Sequence, residues 1–153
     1  MIVYRLCKQI YANDISGRGA ELNGGRWNNK GLPALYCACS RALAVLEVAV
    51  HVPYGIMPIN YFTTLIEVPE DKGITKLNID DLPGNWKINP VGKATQYLGD
   101  DFLKSNINLV LQVPSAIVPG DWNYIINPLH PEFKSVKILK TEAFEFDLRL
   151  FKA

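Results

Sequence analysis

The chain has 153 residues, 48% of them hydrophobic and 20% charged, the makeup of one globular domain large enough to bury a core of its own. Sixteen basic against fifteen acidic side chains leave a formal charge of +1, which excludes a strongly basic nucleic-acid-binding surface as the main device. The longest apolar run, 42–50, is interrupted by Glu47 and is far too short to span a bilayer, so no membrane association is expected.

Residues 2–6 predict a short opening strand, and no charged-then-apolar leader pattern precedes it. Residues 13–31 are rich in glycine and asparagine and predict a loop that can bring backbone close to a ligand. The run 34–39 predicts a buried strand. Ser40 then offers an N-cap for a helix over 41–52, closed by Pro53. Residues 61–68 are β-branched and aromatic and predict a strand. Residues 78–90 hold turn residues around Trp86, and 92–105 have weaker helical character. A strand is expected over 106–113, then a long loop over 115–131 with a short apolar run at 124–126 inside it. The last strands are expected over 135–139 and 144–151, the second from the alternation of Phe144, Phe146, Leu148 and Leu150 with polar residues. Many strands and few helices, without regular βαβ alternation, predict one α+β domain, 1–153, with a mostly antiparallel or mixed sheet. The cysteines Cys7, Cys37 and Cys39 are odd in number, which favours reduced thiols in the cytoplasm. The Cys37-x-Cys39 spacing is wrong for the usual metal-binding pair, and no metal site is expected.

Glu47 is the most informative residue. Its helix is apolar on nearly every side, as in a helix buried all round. A carboxylate there must be paired, protonated or facing a cavity. A contact with His51 one turn later is the structural alternative to a functional role. Arg26 follows two glycines, and its guanidinium can grip a phosphate through two parallel hydrogen bonds, or it can be a solvated loop arginine stacked on Trp27. Tyr36, in an apolar run, is either a core residue or a ring that stacks on a flat heterocycle. Ser115 sits at a strand end and can equally be a turn residue. Asn123, Asn127 and His130 have turn chemistry as their plain explanation. A triad of Ser115, Asp121 and His130 has no supporting spacing, and the nucleophile-elbow pattern is missing.

Taken in order, Ser16-Gly17-Arg18-Gly19-Ala20, Gly24-Gly25-Arg26-Trp27-Asn28, Gly31, Leu35-Tyr36-Cys37-Ala38 and Leu43-Ala44-Val45-Leu46-Glu47 resemble the N-terminal half of RES domains. So do Val113-Pro114-Ser115 and the run from Asn123 to Pro131. The arginine, glutamate and serine that name the family fall on Arg26, Glu47 and Ser115. Asp121 stands where a glutamate is expected. The resemblance implies an ADP-ribosyltransferase-like fold, a split sheet with a few helices and NAD in a cleft between its halves. It implies the toxin of a toxin–antitoxin pair, which stops growth by cleaving the nicotinamide–ribose bond of NAD, with water or phosphate as acceptor. NAD is then a substrate, and no tightly bound cofactor is expected. Glu47, Arg26 and Ser115 are the implied catalytic residues. Arg26, Trp27, Tyr36, Ser115 and Asn127 are the implied substrate-binding set. The implied partner is an Xre-like antitoxin, which would supply any contact with DNA, and a toxin homodimer within that complex is a further expectation. The rival readings are a protein-modifying ADP-ribosyltransferase and a non-enzymatic binding module.

Overall fold

The computed structural model describes residues 1–53 and 55–151. Its strands are β1 (Ile2–Lys8), β2 (Leu35–Ala38), β3 (Tyr61–Glu67), β4 (Ile74–Lys76), β5 (Val110–Pro114), β6 (Trp122–Ile126) and β7 (Lys137–Phe144). Its helices are α1 (Arg18–Asn23), α2 (Arg41–Ala49) and α3 (Lys93–Ser105). The strands form one mixed sheet in the order β4-β5-β6-β2-β1-β3-β7, in which only β4 and β5 run parallel.

The sheet falls into two fully paired blocks. β4-β5-β6-β2 form one and β1-β3-β7 the other, and a single pair, Tyr4 with Ala38, joins them. α2 packs across this seam, against both β1 and β2. Its first turn is fixed by Ser40, whose Oγ accepts the Leu43 N–H at 3.1 Å.

β5 and the end of β6, Ile125 and Ile126, are buried on both faces. Val110 and Ile126 join Val3, Leu35 and Ile66 in one layer, while Leu111, Val113 and Ile125 meet Trp27, Phe102 and Leu103 in the other. α3 lies so close to the Trp27 segment that a Cβ at Gly99 would stand 1.8 Å from the Trp27 carbonyl oxygen. Only glycine fits there.

Four expectations need correction. The 13–31 stretch holds α1, and α2 ends at Ala49 with only Leu43 and Ala44 buried, Leu46 and Val50 being exposed. The expected 115–131 loop contains β6, which lies between β5 and β2. β7 is one strand across 137–144, and the chain then leaves the sheet in a 3₁₀ turn, Leu148–Leu150. Phe146 packs its ring edge to face on Phe144, the last residue of β7, instead of continuing the strand, their centroids 5.0 Å apart. Among the described residues no helix is long and apolar enough to cross a membrane.

Candidate active site

The segment before β2 is a knot of buried polar bonds. Asn28, fully buried, donates through Nδ2 to the carbonyls of Ala20, Asn29 and Leu32. Its Oδ1 accepts the Tyr36 hydroxyl at 2.7 Å, and the Trp27 N–H donates to that same hydroxyl at 2.9 Å. Burial pushes the Tyr36 phenol well above its ordinary value, so it stays a donor. A Cβ at Gly25 would lie 2.5 Å from this hydroxyl, which explains the second glycine before Arg26.

The knot aims Arg26 outward. Its Nη1 donates to the carbonyl oxygens of Trp86, at 2.6 Å, and Ile88, at 3.3 Å. Nε and Nη2 have no hydrogen-bond partner among the described residues. Partial burial lowers the guanidinium pKa, and the nearby Glu47 carboxylate opposes that shift.

A cleft of about 710 Å³ opens between this segment, the end of α2, the 87–91 segment and the turn after β5. Arg26, Tyr36, Glu47, His51, Lys87 and Asn123 all line it. A second cavity of about 260 Å³ follows the seam between β1 and β2. Tyr36, Glu47 and Asn123 border both spaces.

Glu47 Oε1 accepts two hydrogen bonds, from Asn123 Nδ2 at 2.5 Å and from Ser115 Oγ at 3.3 Å. Oε2 accepts none among the described residues. Among the described residues no ion pair or hydrogen bond joins Glu47 to His51, which lies two residues beyond the end of α2. Glu47 is therefore a carboxylate held at one oxygen and open at the other.

The remaining expected residues divide. Ser115 is only 2% exposed; its Oγ accepts the N–H groups of Ile117 (3.1 Å) and Val118 (3.0 Å), and it touches the cleft only through Glu47. Trp27 borders the cleft but is itself buried, its ring packed on Trp86 with centroids 6.3 Å apart. Asn127 lies away from the cleft, fully buried. Its Nδ2 donates to the Leu103 carbonyl and to Asn106 Oδ1, and its Oδ1 accepts the Leu129 N–H. His130 Nδ1 caps the turn that follows it by accepting the Glu132 N–H, and no hydrogen bond links it to Ser115. Cys37 faces the core, where burial pushes its thiol up to about 12.

Sequence reasoning missed Lys87 and gave Asn123 only turn chemistry. Lys87 sits in the turn-rich 78–90 segment and reaches the cleft because Arg26 grips the carbonyls on either side of it. Asn123 becomes visible once 122–126 is read as a strand, since alternation then puts it on the same face as Ile125.

The chain matches a family model described as "RES domain" over residues 2–148. It is 39% identical over 144 residues to the Prs ADP-ribosylating toxin of Sphingobium sp. (strain YBL2), covering 92% of this chain and 89% of that protein. It is 41% identical to Toxin Res of Photorhabdus laumondii subsp. laumondii, covering 100% of this chain and 99% of that protein. Toxin Res of Yersinia enterocolitica is 38% identical, with 98% and 99% covered. Among solved structures, a chain of the M. tuberculosis MbcT–MbcA toxin–antitoxin complex superposes with a TM-score of 0.77 at 18% identity, covering 94% of this chain and 84% of that one. That likeness concerns the fold, which is α+β and ADP-ribosyltransferase-like.

Proposed function

The chain belongs to the RES domain family, and from that premise we propose that it is the toxin of a bacterial toxin–antitoxin pair and an enzyme that cleaves the nicotinamide–ribose bond of NAD. One observation carries the reading. A cleft of about 710 Å³, ample for a dinucleotide, sets two cationic side chains, Arg26 and Lys87, around a single carboxylate with one free oxygen.

The chemistry follows from charge. When the C1′–nitrogen bond breaks, its electron pair leaves with neutral nicotinamide, and positive charge develops on the ribose. Glu47 Oε2 can accept a ribose hydroxyl and oppose that charge from a fixed position. An acceptor oxygen, of water or phosphate, then bonds to C1′ and releases its proton to solvent. Arg26 Nε and Nη2 point their spare donors toward the diphosphate, with Lys87 as a second cation. The Tyr36 ring, fixed by its hydroxyl, offers a flat face beside Glu47. Ser115 acts on substrate through Glu47.

A second reading is transfer of ADP-ribose to a macromolecule; the name of the Sphingobium relative, an ADP-ribosylating toxin, favours neither of the two. The complex of the structural neighbour supports an antitoxin partner, which we place over the cleft. Incubating purified protein with NAD, with and without phosphate and with and without a desalted bacterial lysate as a source of macromolecular acceptors, and weighing the products separates these cases. Free nicotinamide with ADP-ribose, or with its phosphate ester, is expected. ADP-ribose found only on a macromolecule selects the second reading, and intact NAD overturns both.

A further inference from the structure

Glu47 stands on α2, while the groups that hold it come from the other side of the seam. Asn123 is on β6, and Ser115 begins the turn after β5. The backbone of Asn123 is pinned twice, opposite Ala38 on β2 and opposite Val113 on β5. Its side chain is half-buried, borders both the cleft and the seam cavity, and sends Nδ2 to Glu47 Oε1. Ser115 Oγ reaches the same oxygen. Two donors on one oxygen leave the other oxygen as the acceptor that faces open space.

Resting on the NAD-cleaving reading, we infer that Asn123 is a positioning residue for Glu47. It holds Oε1 so that Oε2 is presented to the ribose. A glutamate side chain has several accessible rotamers, and holding one of them costs conformational entropy. A hydrogen bond to a carboxylate is among the stronger kinds and can meet that cost. The amide suits the task because its N–H group donates where an aspartate would set a second carboxylate against the first. Ser115, donating while it closes its own turn, supplies the second and longer bond.

The experiment compares the parent with N123D, which keeps the shape, and N123A, which does not. For each, kcat and KM for NAD and the melting temperature are measured on one preparation. Both variants should lose about 10²-fold in kcat, the usual cost of a catalytic group misplaced by about 1 Å. KM and melting temperature should stay close to the parent's. Parental kcat in N123D would mean that Asn123 only fills space, and overturns the inference. So would a raised KM with unchanged kcat, the mark of direct substrate contact. A crystal structure of N123A gives a readout independent of turnover, with Glu47 expected to leave its parental rotamer. Glu47 unmoved there sinks the inference even if NAD is consumed. A parent that leaves NAD intact while Glu47 moves in N123A sinks the reaction and keeps the positioning role.

Discussion

Strand β6 carries Asn123 near its start and is followed at once by Asn127, and the two amides are used in opposite ways. At the buried end, Asn127 spends both Nδ2 hydrogens and its Oδ1 within the fold, tying the loop after β6 to the end of α3. At the cleft end, Asn123 makes one side-chain hydrogen bond among the described residues, to the Glu47 carboxylate, and otherwise faces open space. The same residue type at the two ends of one strand thus serves the fold at one end and the site at the other. What separates them is bonding capacity left unspent, which a one-dimensional sequence does not display.

If that division is real, substitutions at the cleft end should cost turnover without stability, and those at the buried end the reverse. Glu47→Gln should show the largest effect, a loss of about 10²–10³-fold in NAD turnover, as for other single electrostatic groups in active sites. Its melting temperature should stay near the parent's, since glutamine still accepts at Oε1. A destabilised yet fully active variant would break the comparison at its strongest point. Arg26→Lys comes next. An ammonium lacks the planar fork and cannot bond two carbonyls while keeping two spare donors, so KM for NAD should rise about 10–10²-fold with little change in kcat. Steady-state kinetics would show it, and an unchanged KM removes Arg26 from the diphosphate.

Asn127→Ala should move the other observable. It strands a buried carbonyl at Leu103 and takes away the acceptor of the Leu129 N–H, costing about 1–3 kcal/mol in denaturant unfolding. Turnover per folded molecule should hold; a selective loss of turnover would return Asn127 to the substrate. The smallest effect concerns Cys37, opposite Tyr124 of β6 in the β2 register. Its thiol is raised from 9.0 to about 12 by burial, so the folded state keeps a proton that the unfolded chain releases. The resulting stability is fully present below about pH 9 and is lost as pH rises toward 12, by about 1 kcal/mol at roughly pH 10. Cys37→Val should flatten that limb in unfolding curves measured across alkaline pH.

The sequence carried much of this architecture because local signals and tertiary needs agreed along most of the chain. Ser40 before an apolar run marks the start of α2, and the β-branched 61–67 run marks β3. β6 was hidden because Pro119 and Gly120 before it and Asn127-Pro128 after it are turn chemistry, and five residues carry too little periodicity to outweigh them. The tail misled in the other direction. Phe144 to Leu150 alternates perfectly, yet the chain turns out of the sheet because Phe146 packs against Tyr61 and Phe151. Glu47 was conspicuous as one acid among apolar neighbours, although α2 exposes Leu46 and Val50 instead of burying every face. No local pattern could show Arg26 clasping carbonyls sixty residues away, and hence Lys87 in the cleft.

The seam joined by Tyr4 and Ala38 has a consequence for the order in which the protein comes into being. The chain threads back and forth across it, from β1 to β2, back to β3, over to β4, β5 and β6, and back again to β7. Neither block is made of contiguous sequence, so neither can mature on the ribosome before the other has largely emerged. Glu47 is synthesised first, but Ser115 and Asn123, which hold it, follow 68 and 76 residues later. A nascent chain should therefore be inert until those residues have emerged and become harmful abruptly once they have. A partner that recognises the closed cleft has nothing to grasp until that moment.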